Sequence, residues 1–495
     1  MRNGRYEKKS LSFLLLFLIL TIILFLLPIT SFAQKKKVFT FNHKQLKPLL
    51  ELKVPSKYQV LWKELLNSKR ENVDPNKIFR KYRIDVDLML DDMKIKNKQK
   101  VYLKELVLGN NPVIAIVQKG SATAPKGTVQ YDIVYGIRYD FDRIISKYTN
   151  NIKLKIVFYP GGVLGDEPDF IRKIKLGELQ WCGGQMIMGQ MVAPELSVFD
   201  FPFLYDYEPN LYWDELKYCQ IDWIWGKAAP TINNFLNKRG FVLGGINDGG
   251  CWYAIASRHF PVKTAEDLKK LSFPIFVGSR IASEITKALG FRKVIVSRVW
   301  DLTPNSATGI IDSMICAYYW QVLLQTTPYY NYVTDYPLSG FSAGILIIDK
   351  SFFSTIVGII NKYGGLMGLQ SKDGIAICRD LLLSMNKTLK EIGRKVIRKA
   401  EGEARQRLIS SGKLELIHFP RKEITKVKGK ILPLYSTLAD REDTYPQWFL
   451  DDILKYREEY REAKRSGKVN RWLDDGIYPD GYDEWLWIRE WTPYE

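Results

Sequence analysis

The nine residues Tyr159-Pro160-Gly161-Gly162-Val163-Leu164-Gly165-Asp166-Glu167 join two segments of different periodicity. Before them, Leu154 to Tyr159 is an apolar, partly β-branched run of strand length. After them, Asp166 stands at a helix N-cap with Pro168 in the first turn, and Ile171 and Ile174 continue at helical spacing to Gly177. The three glycines between supply a tight turn that needs positive φ. Strand, glycine turn and helix together form one unit of an alternating α/β chain.

The alternation extends in both directions. Upstream, Asn110-Asn111-Pro112 breaks a helical pattern, and Val113 to Val117 then reads as a strand buried on both faces. A loop from Gly120 to Lys126 and a helix from Tyr131 to Tyr148 follow. Downstream, Phe241 to Leu243 reads as a strand and Gly244 to Gly250 as a glycine-rich turn. Thr264 and Asp267 form a capping box. Asp301 to Ala307 reads as a helix stopped by Gly309, and Ile310 to Ile315 as a strand. Gly374 to Ser411, rich in Leu, Lys, Glu and Arg and free of proline, predicts one long helix ended by Gly412, with Leu414 to Phe419 returning as a strand. The fold class is therefore α/β with largely parallel sheets.

In four stretches beyond the first, the chain resembles the solute receptors of TRAP-type (tripartite ATP-independent periplasmic) transporters, whose glycine turn after the second strand is similar to Tyr159–Glu167. These are Ile174-Lys175-Leu176-Gly177-Glu178-Leu179-Gln180, Pro194-Glu195-Leu196 through Phe201-Pro202-Phe203-Leu204-Tyr205, Pro261-Val262-Lys263-Thr264-Ala265-Glu266-Asp267-Leu268-Lys269, and Thr308-Gly309-Ile310-Ile311-Asp312. None is specific alone; their order and spacing carry the resemblance. It implies two α/β lobes, joined by crossing strands and a long helix that touches both, closing on a small molecule. The expected organisation is a signal peptide over residues 1–33, a basic helical extension over 34–111, a two-lobed solute-binding core over 112–420, and an aromatic-rich C-terminal extension over 421–495. Within the first extension, Tyr58 to Leu66 and Ile78 to Met93 are helical in pattern; within the last, Trp448 to Lys464 is. The tail's end, with Trp485, Trp487 and Trp491, reads as a docked strap, because unstructured linkers avoid tryptophan.

The 495 residues carry a formal charge of +19, with 46% hydrophobic and 26% charged side chains, an ordinary globular mix. The basic runs, Lys35-Lys36-Lys37 and Lys94 to Lys104, come with no zinc-finger, RNP or zipper pattern, which argues against nucleic acid. They could instead lie on an anionic membrane surface or form a solvated face. Arg2, Arg5, Lys8 and Lys9 precede an apolar run from Leu11 to Leu27, and Ser31-Phe32-Ala33 offers a cleavage site. Export to the periplasm is expected, with an uncleaved anchor as the alternative. The five cysteines are scattered and odd in number, which favours buried thiols over a disulfide scaffold.

An enzymatic rival exists. Gly340-Phe341-Ser342-Ala343-Gly344 is a literal G-x-S-x-G, followed by Asp373, Asp380 and His418 in hydrolase order. An α/β-hydrolase needs a helix after that serine, whereas Ile345-Leu346-Ile347-Ile348 reads as a strand, with a helix only from Asp349. The chain is therefore read as a non-enzyme with no catalytic residue; an exported scaffold on the same fold is the other alternative. Its three histidines, His43, His259 and His418, lack metal-ligand spacing, and no phosphate-binding glycine motif occurs, so neither metal nor cofactor is expected.

The resemblance implies that integral membrane subunits receive the solute, and that an arginine in the strand after the "E-D-L-K" helix pairs with a ligand carboxylate through two parallel hydrogen bonds. That strand reads Leu271-Ser272-Phe273-Pro274-Ile275-Phe276, with Pro274 in the arginine's place. The stretch after Asp312 is Ser313-Met314-Ile315-Cys316-Ala317-Tyr318-Tyr319-Trp320, also without the family's asparagine. Binding of simple C4-dicarboxylates in the usual manner is therefore not expected. The candidate cleft residues are Tyr135, Tyr139, Trp252, Phe276, Tyr318 and Trp320, which offer stacking faces, with Arg258 or Arg280 as a substitute cation.

Overall fold

The computed structural model describes residues 36–95, 97–126, 128–206, 219–252, 254–334, 341–469 and 476–494. The strands are β1 (Val38–Asn42), β2 (Val113–Ala122), β3 (Ile152–Tyr159), β4 (Trp181–Gln185), β5 (Phe241–Trp252), β6 (Ala254–Ser257), β7 (Ser272–Phe276), β8 (Lys293–Ser297), β9 (Ser313–Cys316), β10 (Tyr332–Thr334), β11 (Phe341–Asp349) and β12 (Glu415–Ile417). The first lobe is built on a six-stranded sheet. In it β2 runs parallel to β3 on one edge, and on the other to β1 along its first half and to β4 along its last residues. β11 then runs antiparallel to both β4 and β5. The second lobe holds the sheet β12-β10-β6-β9 and the parallel pair β7–β8. The chain crosses between the lobes where β5 leads into β6 and where β10 is followed by β11.

Two local expectations are corrected. Gly244 to Gly250, read as a turn, lies inside β5. These glycines serve a tertiary need: a Cβ on Gly244 would sit 2.8 Å from the Leu346 and Ile348 side chains, and one on Gly245 would sit 2.7 Å from Leu389. Gly245 also has φ +145, and the β5–β11 register shifts there, the mark of a bulge. The pattern from Ile78 to Met93 is two helices, Pro75–Tyr82 and Val86–Asp92, broken where Arg83 turns left-handed (φ 54) and Asp85 caps the second.

The long helix forms as Ser371–Lys387, a π turn over Thr388–Ile392, and Gly393–Ser410. Its first part packs on the helices Val129–Ser146 and Lys350–Met367 of the first lobe. Its second part lies along β5 and the helix Tyr318–Leu323, and Ala404 and Leu408 enter the second lobe's core.

Both extensions are built into this framework. β1 belongs to the first lobe's sheet, and Leu46, Leu49, Leu61 and Leu65 share a core with Phe352, Phe353 and Tyr363. The lysines of this region are paired locally, as in Lys37–Glu105, Lys81–Glu64 and Lys100–Asp91, which lessens its open positive charge. At the other end, the helix Arg421–Thr437 reaches both lobes. Glu423 accepts the Ala265 N–H at 3.0 Å in the second lobe, while the Tyr435 hydroxyl donates to the Pro202 carbonyl at 2.7 Å in the first. The helix Gln447–Arg465 packs on Gln220–Asn237. Trp485, Ile488 and Trp491 are buried in the first lobe's core, and Arg379 donates to the Trp491 carbonyl at 2.7 Å.

The four described cysteines, Cys182, Cys219, Cys316 and Cys378, are buried and form no disulfide with one another. Among the described residues no helix is long and apolar enough to cross a membrane. The proposed signal segment, residues 1–33, lies outside the described residues.

Candidate ligand-binding site

The parallel strands β2 and β4 end at the seam between the lobes, a usual place for a ligand in an α/β protein. A cavity of about 120 Å³ lies there. The first lobe contributes Met186, Phe199, Pro202 and Trp225 to its wall, and the second contributes Phe273, Pro274, Phe276 and Phe291. A smaller cavity of about 50 Å³ lies among the ends of β2 and β4, the middle of β5, the start of β11 and Trp320. Gln185 and Ala343 border both.

Several contacts join the lobes around this seam. The Ser279 hydroxyl of the second lobe donates to Asp200 Oδ2 of the first at 2.7 Å. Beside it the Arg280 N–H donates to Gln190 Oε1 at 3.3 Å. Arg298 Nε lies 3.4 Å from Asp166 Oδ2. The Trp300 indole sits on the glycine turn, so close that a Cβ on Gly162 would lie 2.6 Å from its nitrogen. The glycine turn read as a local device is thus also the surface on which the second lobe rests.

Two carboxyl groups at the seam are shifted. Burial pushes Asp200 up to about 6 and Glu167, at the start of the helix Glu167–Lys175, up to about 7. Both hold a proton more tightly in the folded chain than at their ordinary values of 3.8 and 4.5. The folded state therefore binds more protons between about pH 4 and 7, and stability falls as pH rises through that window. For Glu167, 6% exposed, the loss is of order 3 kcal/mol at 1.36 kcal/mol per pH unit. The thermal midpoint is expected to be lower at pH 8 than at pH 5, with a smaller difference in Glu167→Gln. An identical pH slope in that variant would show that Glu167 is not responsible.

Residues 129–297 match the bacterial extracellular solute-binding proteins, family 7. That match covers 169 of the 495 residues. The fold agrees with solved TRAP periplasmic solute-binding proteins. One from Ochrobactrum anthropi, with its C-terminus bound in the ligand-binding pocket, is similar with a TM-score of 0.55 at 15% identity, over 71% of this chain and 98% of its own. One from Xanthobacter autotrophicus PY2, with bound beta-D-galacturonate, gives 0.55 at 15%, over 69% and 99%. A Bordetella pertussis extracytoplasmic solute receptor binding pyroglutamic acid gives 0.55 at 16%, over 69% and 99%. No curated protein matches the chain in sequence. The chain therefore contains nearly the whole of those folds and has substantial further length of its own.

The candidate residues named from sequence occupy different places in the structure. Phe276 borders the large cavity and Trp320 the small one, where its indole N–H donates to the Gly249 carbonyl. Tyr318 is fully buried in the second lobe's core, with its backbone N–H held by Glu401 at 2.8 Å. Arg258 is engaged within the second lobe, donating to the carbonyls of Tyr329 (2.9 Å) and Ser306. Tyr135 stacks on Tyr131 with the Arg138 guanidinium 3.2 Å from its ring centre, Tyr139 is exposed, and neither borders either cavity. Arg280 borders neither cavity. The side chains of Trp252 and Ser342 lie outside the described residues, although both backbones belong to strands. β11 continues past Ser342 to Asp349, which caps the next helix through the Ser351 N–H, so the strand–serine–helix elbow of a hydrolase is not formed. Asp200 and Ser279 were not singled out by sequence; the one available signal was a lone acid in the aromatic run Phe199-Asp200-Phe201-Pro202.

Proposed function

We propose that this protein is an exported receptor that captures a small solute in the interlobe cavity and passes it to the integral membrane subunits of a TRAP-type transporter. The observation that carries this reading is the apolar cavity at the seam, bordered by both lobes. Export by residues 1–33 and docking on membrane subunits belong to the same reading. The solved relatives' solutes named above are acids, whereas here Pro274 stands in the wall where the resemblance implies an arginine. A carboxylate in such a site is left without a partner. The mature protein is expected to show no thermal shift with succinate, malate or galacturonate, and a clear shift with a solute from an aromatic and neutral panel. A ligand at a hundred times its Kd stabilises by about 2.7 kcal/mol, well within detection. Tight succinate binding would overturn the expected selectivity, and indifference to every solute would favour an exported scaffold.

A further inference from the structure

Taking the large interlobe cavity as the solute site, we infer that its solute is a ring-sized, largely apolar molecule bearing an amine that binds Asp200, and not an organic acid. Three observations converge on this chemistry.

The first is charge. Among the described residues that border the cavity there is no lysine, arginine or histidine, and Asp200 is the sole acid. An organic anion entering this space would lose its hydration, find no cation on the wall and face a carboxylate. An ammonium would find the opposite. Asp200 ends the turn Pro194–Asp200, and the Ser279 hydroxyl takes one acceptor position on Oδ2. The Gln190 side chain is a second partner; a carboxylate has about four such positions, so capacity remains for a further donor. Burial has raised this carboxyl, the mark of a charge that lacks full compensation.

The second is size. The cavity, about 120 Å³, is on the scale of the roughly 150 Å³ apolar space known to take one benzene molecule. One ring with a short arm fits that scale; a hydroxylated sugar acid would bring many polar groups to a wall that cannot satisfy them.

The third is the wall itself. Phe273 and Phe291 stack at 4.5 Å, with Phe199, Phe276 and Trp225 completing an aromatic lining. Aromatic faces attract a cation as well as an apolar ring. The amine therefore meets favourable charge from Asp200 and from the ring faces together.

A matched trio tests this: benzylamine, benzyl alcohol and benzoate, titrated calorimetrically into the mature full-length protein at pH 7.5. Benzylamine is expected to bind at least tenfold more tightly than benzyl alcohol, and benzoate not at all. Asp200→Asn is expected to remove the preference for the amine while leaving benzyl alcohol binding in place. Ser279→Ala, which keeps the carboxylate, is expected to retain the preference and guards against a folding defect in the first variant. Equal binding of amine and alcohol, or an amine preference that survives Asp200→Asn, would overturn the amine assignment while leaving the cavity as the solute site. Failure of all three probes, alongside a thermal shift with galacturonate, would overturn both.

Discussion

Arg398→Met is expected to destabilise the protein by about 3–5 kcal/mol, the cost of leaving buried carboxylates without their cation. Arg398 is 0% exposed. Its Nε lies 3.1 Å from Asp248 Oδ2 on β5, and its Nη2 lies 3.4 Å from Asp222 Oδ1 on the helix Gln220–Asn237. Arg394 approaches Asp222 at 2.6 Å, so the long helix is tied to two elements of the first lobe by one buried network. Against its burial, Arg394 and Arg398 hold the Asp222 carboxyl well below the usual carboxylate range. Domains are stable by only about 5–15 kcal/mol, so the loss is a large share of the whole. It should appear as a lower denaturant midpoint with an unchanged slope. Arg398→Met combined with Asp248→Asn should recover part of it, since the stranded charge is then gone. A single variant as stable as the parent would mean that water, and not Arg398, compensates these acids.

Gly162→Ala is expected to weaken solute binding by a hundredfold or more while leaving each lobe folded. Gly162 has φ +69, where a side chain costs about 1 kcal/mol, a modest local penalty. The larger effect is steric: the new Cβ would lie 2.6 Å from the Trp300 nitrogen and 3.1 Å from the Gly165 carbonyl oxygen. The second lobe could not then seat on the turn, and the Arg298–Asp166 pair beside it would part. A hundredfold corresponds to about 2.7 kcal/mol, within the reach of a lost closing surface. Calorimetric titration with the best solute reads the affinity, and small-angle scattering reads the gap between the lobes. Trimming the obstruction with Trp300→Ala in the Gly162→Ala background should restore part of the binding. Unchanged affinity in the single variant would show that binding does not require this contact.

The parts of the fold legible in sequence were those fixed by local chemistry. The Thr264–Asp267 box, the helix beginning at Asp349 and the helix stopped by Gly309 depend on near neighbours and formed as read; Asp349 proves to be the cap and Gly309 left-handed. The glycines of β5 could not be read locally, because what requires them is Leu346, Ile348 and Leu389 arriving from far along the chain. The placement of β1 was hidden for the same reason: a five-residue strand acquires meaning only when it finds the edge of β2. The site follows this pattern. Phe276 could be placed through its strand, but an aromatic residue after β9 can turn inward, as Tyr318 does, or border a cavity, as Trp320 does. Asp200 was obscured by its apolar company, which reads as packing until the opposite lobe supplies Ser279.

The helix Arg421–Thr437 sets the geometry of any gape between the lobes. It is pinned to one lobe at Ala265 and to the other at Pro202, and Pro202 itself borders the large cavity. A body stitched along one side parts most easily along the other, as a book opens away from its spine. The margin where Trp300 rests on Gly162 and Arg298 pairs with Asp166 is then the mouth, and the stitched side is the axis. A solute seated against Pro202 lies close to that axis, where a given angle of opening produces the least displacement. It is uncovered last, and the time it stays bound is governed by how far the mouth must swing.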